Sequence, residues 1–170
     1  MPNWCANTLK ITPNTAEAKA LMPQLTERFS SGSNGSAFNL IRPMPVELEG
    51  TVAPSKDGID WYSWRVSNWG TKWPEARAHI VSASDDHLLV SFDTAWSPPF
   101  GVYERLVELG FAVTATYAEC GMGFAGIHRD GVDTELTIED IEDVELEEIL
   151  RKTFAGHDLS DELLPPHMGG

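Results

Sequence analysis

The chain has 170 residues, 42% of them apolar, which suits one domain with a substantial core plus an insertion or tail. Its net charge of −14 is unevenly placed: residues 1–129 carry 10 Lys/Arg against 13 Asp/Glu (net −3), and residues 130–170 carry 2 against 13 (net −11). That balance argues against direct binding to nucleic acid or an anionic membrane, because phosphate contact needs clustered Lys and Arg. Two cysteines make no disulfide framework, there is no run of 18 apolar residues, and MPNWCANTL lacks the features of a signal peptide; a soluble, cytoplasmic protein is expected.

Residues 4–12 alternate, with Leu9 and Ile11 on the core side, which predicts a first strand ended by Pro13. Asn14 and Glu17 have the spacing of a capping box for a helix whose stripe is Ala18, Leu21, Met22, Leu25 and Phe29. Pro23 is expected to kink that helix or split off its last turn. A flexible SSGSNGS loop follows at 30–36, and FNLIRPMP at 38–45 reads as extended, limited by its prolines. Residues 47–60 read as loop, after which Asp60 should cap a short helix carrying Trp61, Trp64 and Asn68 and ended by Gly70. Strands are predicted at 76–82 and 87–95, joined by a turn. Ser97 followed by Pro98 marks a helix start, with Val102, Leu106 and Leu109 as its apolar side and Gly110 as its end. A fourth strand is predicted at 111–119, then a glycine-rich turn, GMGFAG, at 121–126. Beyond Asp130, Thr137 with Asp140 predicts a helix running to about Lys152 and bearing Ile138, Ile141, Ile149 and Leu150.

The order strand–helix–insertion–strand–strand–helix–strand is the α+β ferredoxin-like split βαβ plan, with a four-stranded antiparallel sheet whose middle strands are the first and third. The expected division is a domain at 1–129, with a Trp-rich insertion at about 38–75 between helix 1 and strand 2, and an acidic C-terminal helix and tail at 130–170. This topology brings Asn3-Trp4-Cys5, Thr71-Lys72-Trp73, Asp93-Thr94-Ala95-Trp96 and Glu119-Cys120-Gly121 to one edge of the sheet. The stretch WYSWRVSNWGTKW, at 61–73, holds four of the six tryptophans and would fold over that edge. Each such ring can bury about 150–250 Å².

Four segments in order, MPNWCAN at 1–7, WYSWR and NWGTKW within 61–73, FDTAWSPP at 92–99 and YAECGMGFAG at 117–126, resemble the YubB-like, phage Api-type family of phage and conjugative-plasmid proteins. The resemblance covers about residues 1–128. It implies a ferredoxin-like domain and a mobile-element setting, and it implies no reaction or catalytic residues.

The aromatic edge has two readings. It is a second core holding the insertion on the sheet, or it is a stacking pocket for a planar or cationic ligand lined by Trp4, Trp64, Arg65, Trp69, Lys72, Trp73, Trp96 and Glu119. Asp93 with Glu119 is a weaker candidate as an acid–base pair, since strand-end acids more often accept backbone or indole hydrogen bonds. Cys5, Cys120 and His128 lack the spacing of structural zinc, and no pairing of a cysteine nucleophile with His79 or His128 can be read from spacing. Gly121, Gly123 and Gly126 give G-x-G-x-x-G without the helix that a dinucleotide site requires. On the open face of the central strands, Thr8 and Lys10 of the first and Leu89, Ser91 and Asp93 of the third are expected, with no aromatic among them for RNA stacking.

No cofactor or metal is expected. The leading expectation is a non-enzymatic accessory protein of a phage, plasmid or integrated element. It would bind and inhibit a bacterial host or competing-element protein with a basic surface, such as a defence or nucleic-acid-handling machine. Glu135, Glu139, Asp140, Glu142, Asp143, Glu145, Glu147 and Glu148 would make that contact. The alternative is a small-molecule binder or enzyme using the Trp-lined edge.

Overall fold

Six strands make one antiparallel sheet in the computed structural model, which describes residues 3–119 and 121–137. They are β1 (Trp4–Pro13), β2 (Ala76–Ala83), β3 (Leu88–Ala95), β4 (Phe111–Glu119), β5 (Phe124–Arg129) and β6 (Val132–Thr137), in the order β2-β3-β1-β4-β5-β6. The helices are α1 (Ala16–Ser30), α2 (Ala37–Ile41), α3 (Trp61–Asn68) and α4 (Phe100–Glu108), with a 3-10 turn at Val46–Leu48. Strands β1 and β3 are neighbours between β2 and β4, as expected. The expectation of a four-stranded sheet is corrected to six, and the sheet continues past residue 129 to Thr137.

The widening comes from a β5–β6 hairpin. Its turn is Asp130-Gly131, with φ of 48° and 88°, the conformation that favours Asp-Gly in tight hairpins. The Asp130 carboxylate accepts from the Val113 amide at 2.7 Å, and the Asp130 amide donates to the Val113 carbonyl at 2.9 Å. Gly126 sits mid-strand because a Cβ there would lie 2.2 Å from the Tyr117 hydroxyl. Tyr117 therefore crosses over β5 and donates to Asp133 of β6 at 2.9 Å, fastening the hairpin to β4.

One face of the sheet carries the core. Leu9 and Ile11 of β1, Leu88, Val90 and Phe92 of β3 and Val113 and Ala115 of β4 meet Met22, Leu25 and Phe29 of α1 and Val102, Tyr103 and Leu106 of α4. Burying each large apolar side chain contributes about 1.5–3 kcal/mol relative to exposure.

Local chemistry departs from expectation at several places. Thr15, one residue after Asn14, caps α1, its hydroxyl accepting from the Ala18 amide at 3.1 Å, and α1 runs unbroken through Pro23. Residues 37–41 are helical rather than extended. Ser36 caps this short α2, and the Glu75 carboxylate accepts the Ala37 and Phe38 amides, so only Arg42, directly before Pro43, is held out of the helical region. Helix α4 starts at Phe100 rather than at Pro98, because the Ser97 hydroxyl donates to the Gly70 carbonyl at 2.6 Å instead of capping. Asp60 caps α3 as expected, accepting from Ser63 at 2.8 Å. The helix predicted for 137–152 begins on a β6 residue, Thr137, and otherwise lies outside the described residues.

Helices α3 and α4 approach closely at Gly101, where a Cβ would meet the Asn68 carbonyl oxygen at 1.9 Å. Gly101→Ala is therefore expected to cost about 1–3 kcal/mol of stability, read as a lower midpoint in urea unfolding.

Candidate functional site

The tryptophan-rich stretch divides into an interior set and an outward strip. Trp69 follows α3 and is 1% exposed. Its ring stands edge-on to Phe38 at 5.8 Å and to Trp64 at 5.6 Å, and its indole N–H donates to the Arg42 carbonyl at 2.9 Å. Phe38 in turn stands edge-on to Phe92 of β3. Trp64 packs partly buried on the same core. The Arg65 guanidinium lies 5.1 Å from the Trp61 ring centre and 5.2 Å from that of Trp69, and burial lowers its pKa. It borders a hollow of about 260 Å³ with Met44, Glu49, Gly50 and Trp61.

The outward strip runs along the sheet's second face and its edge. The rings of Trp4 and Trp73 are 6.0 Å apart, and Arg77 lies 4.5 Å over Trp4 while pairing with Asp93 at 2.7 Å. The Lys72 ammonium is 4.1 Å from the Trp73 ring centre and 4.4 Å from that of Trp96. Trp96 is 46% exposed. Trp96 and Arg77 both have left-handed backbone, with φ of 70° and 50°, uncommon for residues with side chains. The expected convergence of chain segments is present: Trp96 N–H donates to the Asn3 carbonyl at 2.9 Å, and the Thr71 hydroxyl to the Ala95 carbonyl at 3.0 Å.

The carboxylates serve the backbone. Glu119 is 1% exposed on the core side of β4, and its two oxygens accept the Gly121 and Met122 amides at 2.7 Å each. Asp93 lies on the opposite face of the sheet and is tied to Arg77, so the Asp93–Glu119 pair weighed above is not formed. Asp60 accepts amides from Ser55 and Ser63, which hold its pKa down to about 2. Desolvation raises the Glu75 pKa, opposed by its amide partners. Cys5 is fully buried, and burial pushes its thiol pKa far up, away from nucleophile chemistry. Among the described residues no group of three or more His, Cys, Asp or Glu is placed to hold a metal, and no helix is long and apolar enough to cross a membrane.

A buried polar cluster escaped the sequence reading. His128 of β5 is 4% exposed, 5.3 Å from the Phe100 ring and 5.5 Å from the Tyr103 ring. Its Nδ1 lies 3.8 Å from the Asp133 carboxylate that Tyr117 holds. The pairs Ala115–His128 and His128–Asp133 place it across the sheet; the hairpin signal Asp130-Gly131 would have aligned these residues. Burial lowers the His128 pKa below 6.5, against the raising influence of Asp133, Glu104 and Asp130. Of the acidic residues proposed above for partner contact, Glu135 is exposed on β6; Glu139, Asp140, Glu142, Asp143, Glu145, Glu147 and Glu148 lie outside the described residues.

The interior position of Trp69 predicts that Trp69→Ala costs about 3–5 kcal/mol in urea unfolding, against no more than about 1 kcal/mol for Trp96→Ala. For His128 the unfolded chain takes a proton near pH 6.5 and the folded chain only at lower pH. Stability should thus fall as pH drops through 6.5, and His128→Phe should flatten that slope in a pH series of melting temperatures.

No family model matches the chain, and no curated protein matches it. Among solved structures it is similar to the crystal structure of the protein api92 from Yersinia pseudotuberculosis, of the DUF1281 family, at 12% identity and a TM-score of 0.46. That match covers 80% of this chain and 98% of the other.

Proposed function

We propose that this is a non-enzymatic accessory protein of a phage, plasmid or integrated element, and that its acidic side binds and inhibits a basic surface of a host or competing-element protein. The carrying observation is the separation of charge, net −11 over residues 130–170 against net −3 over residues 1–129. Where the partner handles nucleic acid, these carboxylates would stand in for phosphates in its channel. The engagement of Asp60, Glu75, Glu119 and Asp130 with backbone amides supports a binding rather than a catalytic reading. The motif resemblance supports the mobile-element setting, and the β2-β3-β1-β4 order supports a ferredoxin-like unit widened by a hairpin.

The experiment is affinity capture from bacterial lysate, comparing the wild-type chain with one in which Glu139, Asp140, Glu142, Asp143, Glu145, Glu147 and Glu148 become Gln or Asn. The expected result is one partner held by the wild type, released by high salt and absent from the neutralised variant. A complex whose affinity is the same at low and high salt would sink the reading.

A second reading has its own observation: Trp96, half exposed and in left-handed backbone beside Lys72, makes an open stacking surface for a planar anion. Quenching of tryptophan emission by AMP, and its loss in a folded Trp96→Ala variant, would support it. An unchanged emission across nucleotides would remove it.

A further inference from the structure

The hollow beside α3 contains a cation that the fold leaves short of hydrogen-bond acceptors. The Arg65 guanidinium lies against two indole rings, 5.1 Å from the centre of Trp61 and 5.2 Å from that of Trp69. Such contact uses the charge and satisfies none of the five N–H groups. Nη1 donates to the Lys72 carbonyl at a long 3.4 Å, and Nε is buried with no acceptor among the described residues. None of the ion pairs among the described residues involves Arg65. A buried charged donor left unpaired is more costly than a neutral one, so this group calls for an anion.

The hollow has a volume of about 260 Å³ and is walled by Met44, Glu49, Gly50, Trp61 and Arg65. Bonds from neighbouring residues fix those walls. The Thr51 hydroxyl accepts from the Trp61 amide at 3.0 Å and donates to the Leu48 carbonyl at 2.7 Å, which ties the turn carrying Glu49 and Gly50 to the start of α3. The Met44 amide donates to the Asn39 side chain at 2.9 Å. Little ordering is then left to occur on binding. The volume lies below the roughly 300–1,000 Å³ of sites for drug-sized ligands, so the occupant is small.

We propose that this hollow binds a free α-amino acid with a flat or unbranched apolar side chain, its carboxylate on Arg65, its ammonium toward Glu49 and its side chain against Trp61 and Met44. The lining selects this class, because one cation, one carboxylate and an apolar wall meet in a small space. A dianion would be repelled by Glu49 and a simple amine by Arg65, whereas a molecule carrying both charges satisfies both. Guanidinium suits a carboxylate, which it can meet with two parallel N–H bonds. The Trp61 ring and the Met44 thioether offer the surface that a flat apolar group covers best. This site shares no residue with the Trp96 surface or with the acidic segment proposed above for partner contact.

The test is an NMR titration of the full chain with L-phenylalanine, with phenylpropanoate, which lacks the ammonium, and with phenethylamine, which lacks the carboxylate. The signals followed are the tryptophan indoles and the Arg65 Nε–H, assigned by substitution. L-phenylalanine should shift the Trp61 indole and the Arg65 Nε–H saturably. Each of the other two probes should bind at least about tenfold more weakly, the worth of one hydrogen bond to a charged group. Arg65→Gln should abolish the Trp61 shift, and Glu49→Gln should remove the preference for L-phenylalanine over phenylpropanoate. No saturable shift at Trp61, equal affinities for the three probes, or a Trp61 shift that survives Arg65→Gln would overturn the proposal. A shift confined to Trp96 would place the probe on the outward strip and also overturn it. Where Arg65→Gln is unfolded by circular dichroism, Glu49→Gln, at an exposed position, decides: an undiminished preference for L-phenylalanine overturns the site.

Discussion

The bonds around residues 69–71 hold the insertion against the sheet, and most of the molecule's organisation follows from them. The Trp69 indole donates to Arg42, the Gly101 amide to the Trp69 carbonyl, the Ser97 hydroxyl to Gly70 and the Thr71 hydroxyl to Ala95. Each is a buried or half-buried polar group that would be costly to leave unpaired, and together they leave little freedom in how this segment sits. The contact needs Gly101, because no side chain fits beside the Asn68 carbonyl. From that junction Trp69 turns inward onto Phe38 and Phe92, whereas Lys72 and Trp73 turn outward toward Trp4 and Trp96. One short segment thus builds both a second core and an exposed aromatic strip.

Polar chemistry inside the molecule is spent on construction. Glu75 starts α2, Asp60 starts α3, Glu119 closes the turn before β5 and Asp130 ties the hairpin turn to β4. Each carboxylate satisfies amides that the fold would otherwise leave without partners. The tryptophan rings are likewise occupied by the chain's own cations, Arg65 between Trp61 and Trp69, Lys72 beside Trp73 and Trp96, and Arg77 over Trp4. In the sequence the negative charge is concentrated after residue 129, net −11 over residues 130–170.

Periodicity made the first four strands, α1, α3 and most of α4 legible, since Leu9/Ile11, Leu88/Val90/Phe92 and Val113/Ala115 alternate cleanly. What it could not show depends on distant partners. α2 forms because Glu75, far along the chain, reaches its amides, and α4 starts late because Ser97 is drawn to Gly70. Strand β5 is interrupted in pattern by Gly126, whose reason is the Tyr117 ring lying above it. The Asp130-Gly131 hairpin signal was present in the sequence, but the strand beside it, Val132–Thr137, carries acidic side chains at an edge and reads as tail. The meeting of the aromatic segments at one edge of the sheet could be read from the topology; which rings were interior could be decided only by geometry, with Trp69 at 1% exposure and Trp96 at 46%.

We propose that the aromatic segment builds the fold and that the acidic side meets the partner. The most direct test is an amide and indole NMR correlation spectrum of the full-length protein, recorded with and without its captured partner. Shifts in residues 133–148 and unmoved indole signals for Trp64 and Trp69 are expected. Shifted indole signals for Trp64 and Trp69, with residues 133–148 unchanged, would contradict it.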